Sequence, residues 1–116
     1  MKPLRILVVE DDPVIGMLLG EMLLAMGHEV CSIERDEGGA VAAAARHHPD
    51  LVIADATLGA GSGLRAIDTM QIGRMLRHLF IAGDALRVAR LRPDAVILQK
   101  PFNEAALTLG MRQAFA

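Results

Sequence analysis

The sequence has no tryptophan, no tyrosine and a single cysteine, and each shortage argues against a class of site. Without tyrosine or tryptophan to stack on bases, and with a net charge of -2, the chain lacks the usual features of a nucleic-acid-binding protein, so we expect no nucleic-acid partner. A lone cysteine cannot form an intrachain disulfide, and no paired His or Cys spacing indicates a structural zinc site. We expect Cys31 to be a small buried apolar residue.

The chain also lacks a long uninterrupted apolar run. No run approaches the roughly 20 residues that a membrane-spanning helix needs, and the first five residues lead into a strand-like run instead of a signal peptide. Its 116 residues, 53% of them hydrophobic, suffice for one compact domain with a buried core. These features predict a single soluble domain over residues 1–116, cytoplasmic and without a membrane partner.

Charge is distributed unevenly along the chain. Residues 1–58 carry ten acidic and four basic side chains, a balance of -6, whereas residues 59–116 carry four acidic and eight basic ones, a balance of +4. Such runs are most often solvated surface. The functional alternative is a partner surface on the fourth and fifth βα units, because five arginines lie there or just before: Arg74, Arg77, Arg87, Arg90 and Arg92.

Short strand-like runs alternate with helical ones along the whole chain. The predicted strands cover residues 4–9, 29–33, 51–54, 79–82 and 95–98. The first helix follows Asp12-Pro13, a capping carboxylate and a proline suited to the first helical position, and ends at Gly27. This strict alternation predicts an α/β fold, a doubly wound five-stranded parallel sheet with helices on both faces.

The later helices are predicted from cap residues and periodicity. The second begins near Asp36, the third covers residues 64–76, the fourth runs from about Asp84 to Leu91, and the last begins at Asn103. Glycines at 59, 61 and 63 predict a flexible turn after the third strand. The four histidines (His28, His47, His48 and His78) show no metal-ligand spacing and are expected on the surface or in loops.

Charged side chains follow three of the predicted strands. Glu10 and Asp11 follow the first, Asp55 the third and Lys100 the fifth. Because the carboxyl ends of parallel strands share one edge of the sheet, these groups are expected to converge. Carboxylates in close contact repel by about 4 kcal/mol per pair at an effective dielectric near 20, so a cation must compensate. An all-oxygen set favours Mg²⁺ over zinc.

Several short motifs occur in order at these strand ends: Val8-Val9-Glu10-Asp11-Asp12-Pro13, Asp55, Gly63 eight residues later, and Lys100-Pro101-Phe102. Together they resemble the receiver domains of the two-component response-regulator family, and the resemblance covers essentially the whole chain. It implies a flavodoxin-like receiver fold with strand order 2-1-3-4-5, and a regulator instead of an enzyme.

The resemblance also implies roles for individual residues. Asp55 would accept a phosphoryl group from a phosphohistidine on a sensor histidine kinase or phosphotransfer protein, and Lys100 would pair with the phosphoryl oxygens. Glu10, Asp11 and Asp55 would hold Mg²⁺ together with the backbone carbonyl of Thr57. Metal and lysine charge would neutralise the phosphoryl oxygens that otherwise repel an attacking carboxylate. The Lys100-Pro101 bond would be cis.

Two positions depart from the family pattern. Ala82 stands where a threonine or serine usually bonds the phosphoryl group, and Ile97 stands where an aromatic partner is often found. A missing hydrogen bond to a charged group is worth roughly 1.5 to 3 kcal/mol, enough to weaken coupling to conformational change without stopping transfer. Gly59 also replaces a common proline. The run around Ala82 resembles a divergent receiver subgroup that is often found as single-domain proteins.

Two other functions stay open at this point. A degenerate receiver could serve as a phosphorylation-independent binding module, which the identities of Ala82 and Ile97 favour. A hydrolase that uses Asp55 as a covalent nucleophile is weaker, because Thr57 stands where a second acid would be needed. In a chain of this length, output is expected through a protein contact, a phosphorelay step or removal of phosphoryl groups from a kinase, with homodimerisation as a further option.

Overall fold

The computed structural model describes residues 2–116, which form twelve helices and strands. In chain order these are β1 (Arg5–Val9), α1 (Pro13–Ala25), β2 (Glu29–Glu34), α2 (Glu37–His47), β3 (Leu51–Asp55), β4 (Thr57–Leu58), β5 (Gly61–Ser62), α3 (Gly63–Met70), β6 (His78–Ala82), α4 (Ala85–Leu91), β7 (Ile97–Gln99) and α5 (Glu104–Ala114).

Five of the strands form one parallel sheet in the order β2-β1-β3-β6-β7. When the short β4–β5 hairpin is set aside, this is the predicted order 2-1-3-4-5, and the flavodoxin-like receiver fold is confirmed. Every residue of β3 is buried, as expected for a central strand covered on both faces. No helix among residues 2–116 is long and apolar enough to cross a membrane.

The two faces of the sheet carry separate apolar layers. Alternate residues of the central strands point to opposite faces, so that Val52 and Phe80 pack with α2 and α3 whereas Ile53 and Ile81 pack with α1 and α5. The layer under α2 is built from alanines, whose small side chains let that helix lie close to the sheet. This two-sided burial leaves the carboxyl edge of the sheet free for polar groups.

Short polar side chains begin the helices as the sequence predicted. The Asp12 carboxylate accepts hydrogen bonds from the Val14 and Ile15 amides, which confirms its assignment as a cap. Asp36 and Asn103 cap α2 and α5 in the same way. These caps fix where each chain segment leaves the sheet edge.

The predicted flexible turn after β3 is instead a small antiparallel hairpin, β4–β5. Each strand has two residues, too few for periodicity to show. Helix α3 ends at Met70 and does not reach residue 76, because the Gln71 and Ile72 amides close a tight turn and Gly73 adopts a φ of 79°. Strand β7 begins at Ile97, two residues later than expected.

Two single residues also differ from expectation. His28 is buried, because its Nδ1 accepts a hydrogen bond of 3.0 Å from the Leu4 amide where the chain enters β1. Cys31 is only half-buried, since it lies on the edge strand β2, and its Sγ donates to the Ile6 carbonyl at 3.4 Å. His28 therefore lies in a loop as predicted, between α1 and β2, but it is buried there, whereas the predicted burial of Cys31 was only partly right.

Candidate functional site

Three carboxylates meet at the carboxyl edge of the sheet. Glu10 follows β1, Asp11 is the next residue, and Asp55 ends β3, the neighbouring strand. One oxygen from each lies within 4.8 Å of the other two. Glu10 and Asp55 are 1% and 6% exposed, whereas Asp11 is half-buried. The structure therefore brings together the three acidic residues that the sequence singled out, with Asp11 as the most accessible.

Lys100 inserts its ammonium group between two of these acids. Its Nζ donates to Glu10 Oε1 at 3.0 Å and to Asp55 Oδ2 at 2.5 Å. The Lys100 amide donates to the Ala82 carbonyl at 2.8 Å, which ties the end of β7 to the end of β6. The Lys100-Pro101 peptide bond is cis. The fourth charged residue predicted for this edge is thus in direct contact with the acidic group.

Burial dominates the electrostatics of the acidic group. It raises the pKa of Glu10 to about 7, although the hydrogen bond from Lys100 acts in the opposite direction. Burial tends to lower the pKa of Lys100, but its hydrogen bonds with Asp55 and Glu10 prevail and raise it. One ammonium group faces three carboxylates, so a bound cation would further offset the negative charge of the cluster.

The donor set fits a hard divalent cation. All three side chains offer carboxylate oxygens, and the cluster contains neither cysteine nor histidine. Oxygen ligands with accessible space suit Mg²⁺, whereas zinc prefers nitrogen and sulfur. Thr57, whose carbonyl was the fourth predicted ligand, is exposed in β4, and its amide donates to Asp55 Oδ1 at 3.0 Å. That contact fixes the Asp55 oxygen that Lys100 does not contact.

The loop that follows Asp55 is held by close backbone packing at Gly63. A Cβ atom at this position would lie 1.9 Å from the Asp55 carbonyl oxygen, so only glycine fits. The Gly63 amide donates to the Ala56 carbonyl at 3.0 Å, and the Ser62 hydroxyl caps α3. The spacing of this glycine from Asp55 therefore has a steric cause.

A second contact on this loop was not predicted. Glu37, in the first turn of α2, accepts hydrogen bonds from the Ser62 amide at 2.6 Å and from Arg65 Nε at 2.9 Å. These bonds hold β5 and the start of α3 against α2, and they also lower the pKa of Glu37. The sequence gives no signal for this role, because an acidic residue in a first helical turn is common.

The β6–β7 end of the same edge has a different character. Ala82 packs with Ala56 and Val88 in a small apolar cluster, and Ile97 lies against it. Neither Ala82 nor Ile97 offers a hydroxyl or an aromatic ring toward Asp55. Gln99, which the sequence reasoning missed, provides the polar contacts of this region through its side-chain amide. A single glutamine at the end of a strand does not indicate such a role in the sequence.

Comparison with known proteins agrees with this geometry. The family model described as "Response regulator receiver domain" matches residues 6–111. The phyllosphere-induced regulator PhyR of Methylorubrum extorquens is 33% identical over 114 residues, which are 95% of this chain and 43% of that protein. The chain spans about half the length of the curated relatives it matches.

Solved structures give the same result. The receiver domain of PhyR from Erythrobacter litoralis has a TM-score of 0.88 at 28% identity, covering 99% of this chain and 92% of that one. The anti-anti-sigma factor PhyR from Bartonella quintana has a TM-score of 0.90 at 27% identity and covers 99% of this chain but 48% of that one. The likeness to the longer proteins is thus confined to one part of them.

Proposed function

Because the chain belongs to the response regulator receiver domain family, we propose that it accepts a phosphoryl group on Asp55 from the phosphohistidine of a sensor histidine kinase or phosphotransfer protein. The observation that carries this proposal is the position of Asp55. Its buried carboxylate lies beside two further carboxylates and receives a hydrogen bond from Lys100. The proposed output is regulatory, as in the relatives.

The residues around Asp55 suit an in-line phosphoryl transfer. A bond forms between an Asp55 carboxylate oxygen and phosphorus while the donor's N–P bond breaks, and its electron pair returns to the imidazole nitrogen. The Thr57 amide and Lys100 fix the two Asp55 oxygens before the reaction, which removes the entropy of orienting the nucleophile. The Lys100 ammonium group also offsets negative charge on the phosphoryl oxygens.

A magnesium ion belongs to the same proposal. The carboxylates of Glu10, Asp11 and Asp55, with the Thr57 carbonyl, are the ligands we assign to it. When bound, Mg²⁺ supplies positive charge that lets an anionic carboxylate approach an anionic phosphoryl group. The half-buried Asp11 is the side chain nearest solvent in this set, so its removal should weaken Mg²⁺ binding with little effect on the fold.

Two exposed faces suit protein partners. Helix α1 begins beside the acidic group and presents Val14, Met17 and Leu18, each at least half exposed, which fits a helix that carries the donor histidine. The second face combines exposed Leu86 and Leu91 of α4 with its arginines, and suits a target protein or a second copy of the chain. Arg92 is less available there, because it pairs with Asp68.

Intact mass spectrometry tests the proposal directly. Incubation with Mg²⁺ and acetyl phosphate, or with a phosphorylated kinase, should add the mass of one phosphoryl group to the wild type. Asp55→Asn should abolish the gain, whereas the matched exposed substitution Asp94→Asn should leave it intact. Omission of Mg²⁺ should strongly reduce the rate of this mass gain. Absence of any gain in the wild type would overturn the phosphoacceptor function.

A phosphorylation-independent binding module is the second candidate. The specific observation in its favour is the apolar packing of Ala82 and Ile97, which leaves no hydroxyl or ring to report the state of Asp55. The two functions differ in partner affinity. If loading Asp55 leaves the affinity for a bound partner unchanged, the chain acts as a binding module or a phosphate sink, and the switching role is wrong.

A further inference from the structure

The side chain of Gln99 forms hydrogen bonds with two backbone segments beside the apolar cluster. One segment is residues 83–85, and the other is Lys100. Its Nε2 donates to the Gly83 carbonyl at 2.6 Å and to the Lys100 carbonyl at 2.9 Å. Its Oε1 accepts from the Ala85 amide at 2.9 Å. One amide therefore holds the end of β7, the loop after β6 and the first residue of α4.

The chemistry of these contacts requires an amide. Two carbonyl oxygens need donors and one backbone N–H needs an acceptor, a set that glutamine satisfies with both amide hydrogens and its oxygen. A carboxylate at this position would face the Gly83 and Lys100 carbonyls without a proton to donate. A hydrocarbon would leave the Ala85 amide, one of the unpaired donors of the first helical turn, to water.

The bridge is connected to the proposed phosphoacceptor through Lys100. The Lys100 ammonium contacts Asp55 and Glu10, its amide donates to the Ala82 carbonyl, and its carbonyl accepts from Gln99. When the charge on the Asp55 carboxylate moves onto a phosphoryl group, the ammonium must follow the new oxygens. The Gln99 amide binds the Lys100 carbonyl, so any displacement of the Lys100 backbone in that movement strains the bonds that Gln99 makes to Gly83 and Ala85.

We propose that Gln99 is a positioning residue that transmits the state of Asp55 from Lys100 to the start of α4. This inference rests on the proposed function of Asp55 and adds the route by which the signal leaves the site. The two states are the bridged amide, with α4 fixed at its first turn, and the released amide, with that turn free to move. Because Gln99 is exposed, its substitution leaves the core intact.

Amide exchange and chemical shifts measured by NMR test the route. In the unloaded protein, Gln99→Leu should make the Ala85 amide exchange about fivefold faster, as expected for loss of one hydrogen bond. On addition of beryllofluoride and Mg²⁺, the wild type should show shifts at residues 55–58 and at residues 85–91. Gln99→Leu and Gln99→Glu should keep the first set and lose most of the second. Gln113→Leu, an exposed glutamine on α5, serves as the matched control.

The outcomes separate the two proposals. An α4 response in Gln99→Leu equal to that of the wild type overturns the route while leaving phosphorylation of Asp55 untouched. No shift at residues 55–58 in the wild type overturns the phosphoacceptor function. A double-mutant cycle tests the route without any ligand, since Lys100→Met should shift the α4 amides in the wild-type background but not in Gln99→Leu. Additive shifts in that cycle also overturn it.

Discussion

The carboxyl edge of the sheet has two sides of opposite chemistry. One, here named the capture side, consists of Glu10, Asp11, Asp55 and Lys100. It is charged and largely buried, and Lys100 pairs directly with Glu10 and Asp55. The other, the readout side, consists of Ala82, Val88, Ile97 and Gln99, and its interior is apolar. The capture side holds the charged residues on which the family resemblance rests, whereas Ala82 and Ile97 of the readout side are the two positions that depart from the expected pattern.

This difference teaches that binding a phosphoryl group and responding to it make separate physical demands. Capture requires fixed charges whose mutual repulsion is compensated, and these constrain both side chains and backbone. Readout requires only that some group near the site has two arrangements of similar free energy. Under the proposed function, a readout side without a hydroxyl or a ring is therefore still coupled if another contact, such as the Gln99 amide, has two such arrangements.

The same substitution next to each side should give the largest contrast, because Gly63 packs against the backbone of Asp55 and Gly83 directly follows Ala82. Gly63→Ala places a Cβ 1.9 Å from the Asp55 carbonyl oxygen, whereas a Cβ at Gly83 meets nothing within 4 Å. We expect Gly63→Ala to lower the free energy of unfolding by about 3 kcal/mol or more, because the backbone itself must shift. Gly83→Ala should change it by no more than about 0.5 kcal/mol. Urea denaturation of both variants measures the contrast.

Similar unfolding free energies for the two variants would contradict the view that the capture side is the more tightly constrained. Gly38→Ala provides a further reference, because Gly38 lies in α2 with only a distant contact at 3.8 Å. Alanine there should stabilise the protein by about 0.4 to 1 kcal/mol through its better helix propensity. A loss of stability in that variant would indicate that alanine is costly in this chain for reasons unrelated to Gly63.

The capture side was also the part of the molecule that sequence could predict. Glu10, Asp11, Asp55 and Lys100 each follow a buried apolar strand, and parallel topology places such positions at one edge. The parallel sheet followed from the alternation of strands and helices, and its strand order was implied by the family resemblance. The pattern could not predict distances in space. The Lys100 ammonium lies between Glu10 and Asp55, which are 90 and 45 positions away from it in the sequence.

The remaining features escaped prediction for a common reason. Gln99, Glu37 and His28 act by accepting hydrogen bonds from backbone amides of distant segments, and such bonds leave no periodic pattern in the sequence. The β4–β5 hairpin was missed because strands of two residues carry no alternation. Local pattern thus predicted the layers of the fold, whereas contacts between loops required the three-dimensional structure.

A hydroxyl introduced at position 82 should let the readout side form a hydrogen bond to a ligand bound at the capture side. Ala82 is buried against Ala56, the residue after Asp55, so Ala82→Thr and Ala82→Val should both cost about 1 kcal/mol by overpacking in the unloaded protein. With beryllofluoride bound, the threonine hydroxyl should gain a hydrogen bond worth about 1.5 to 3 kcal/mol that valine cannot make. The ligand-induced rise in unfolding free energy should therefore be larger for Ala82→Thr. Equal rises would mean that position 82 does not reach the phosphoryl group.

The smallest expected effect concerns the end of α4 that is remote from the site. Arg92 caps α4 and donates two hydrogen bonds, of 2.6 and 2.7 Å, to the carboxylate of Asp68 on α3. These bonds lower the pKa of Asp68, so the pair stabilises the protein above the pKa of an unfolded aspartate, near 3.9, and this stabilisation is lost as pH falls through the folded value. Both side chains are substantially exposed, which limits the contribution to about 0.5 kcal/mol.

Denaturation as a function of pH tests this second attachment of α4. Asp68→Asn should be about 0.5 kcal/mol less stable than the wild type at pH 7, and the difference should vanish in strong acid because the wild-type carboxyl is then protonated. Added salt should also reduce it. A difference that persists unchanged in acid would mean that Asp68 acts by packing and not by charge. Because this pair holds only the last turn of α4, Asp68→Asn should leave the beryllofluoride response at Ala85 intact, whereas Gln99→Leu should not. That contrast would show that the response of α4 is controlled at its first turn.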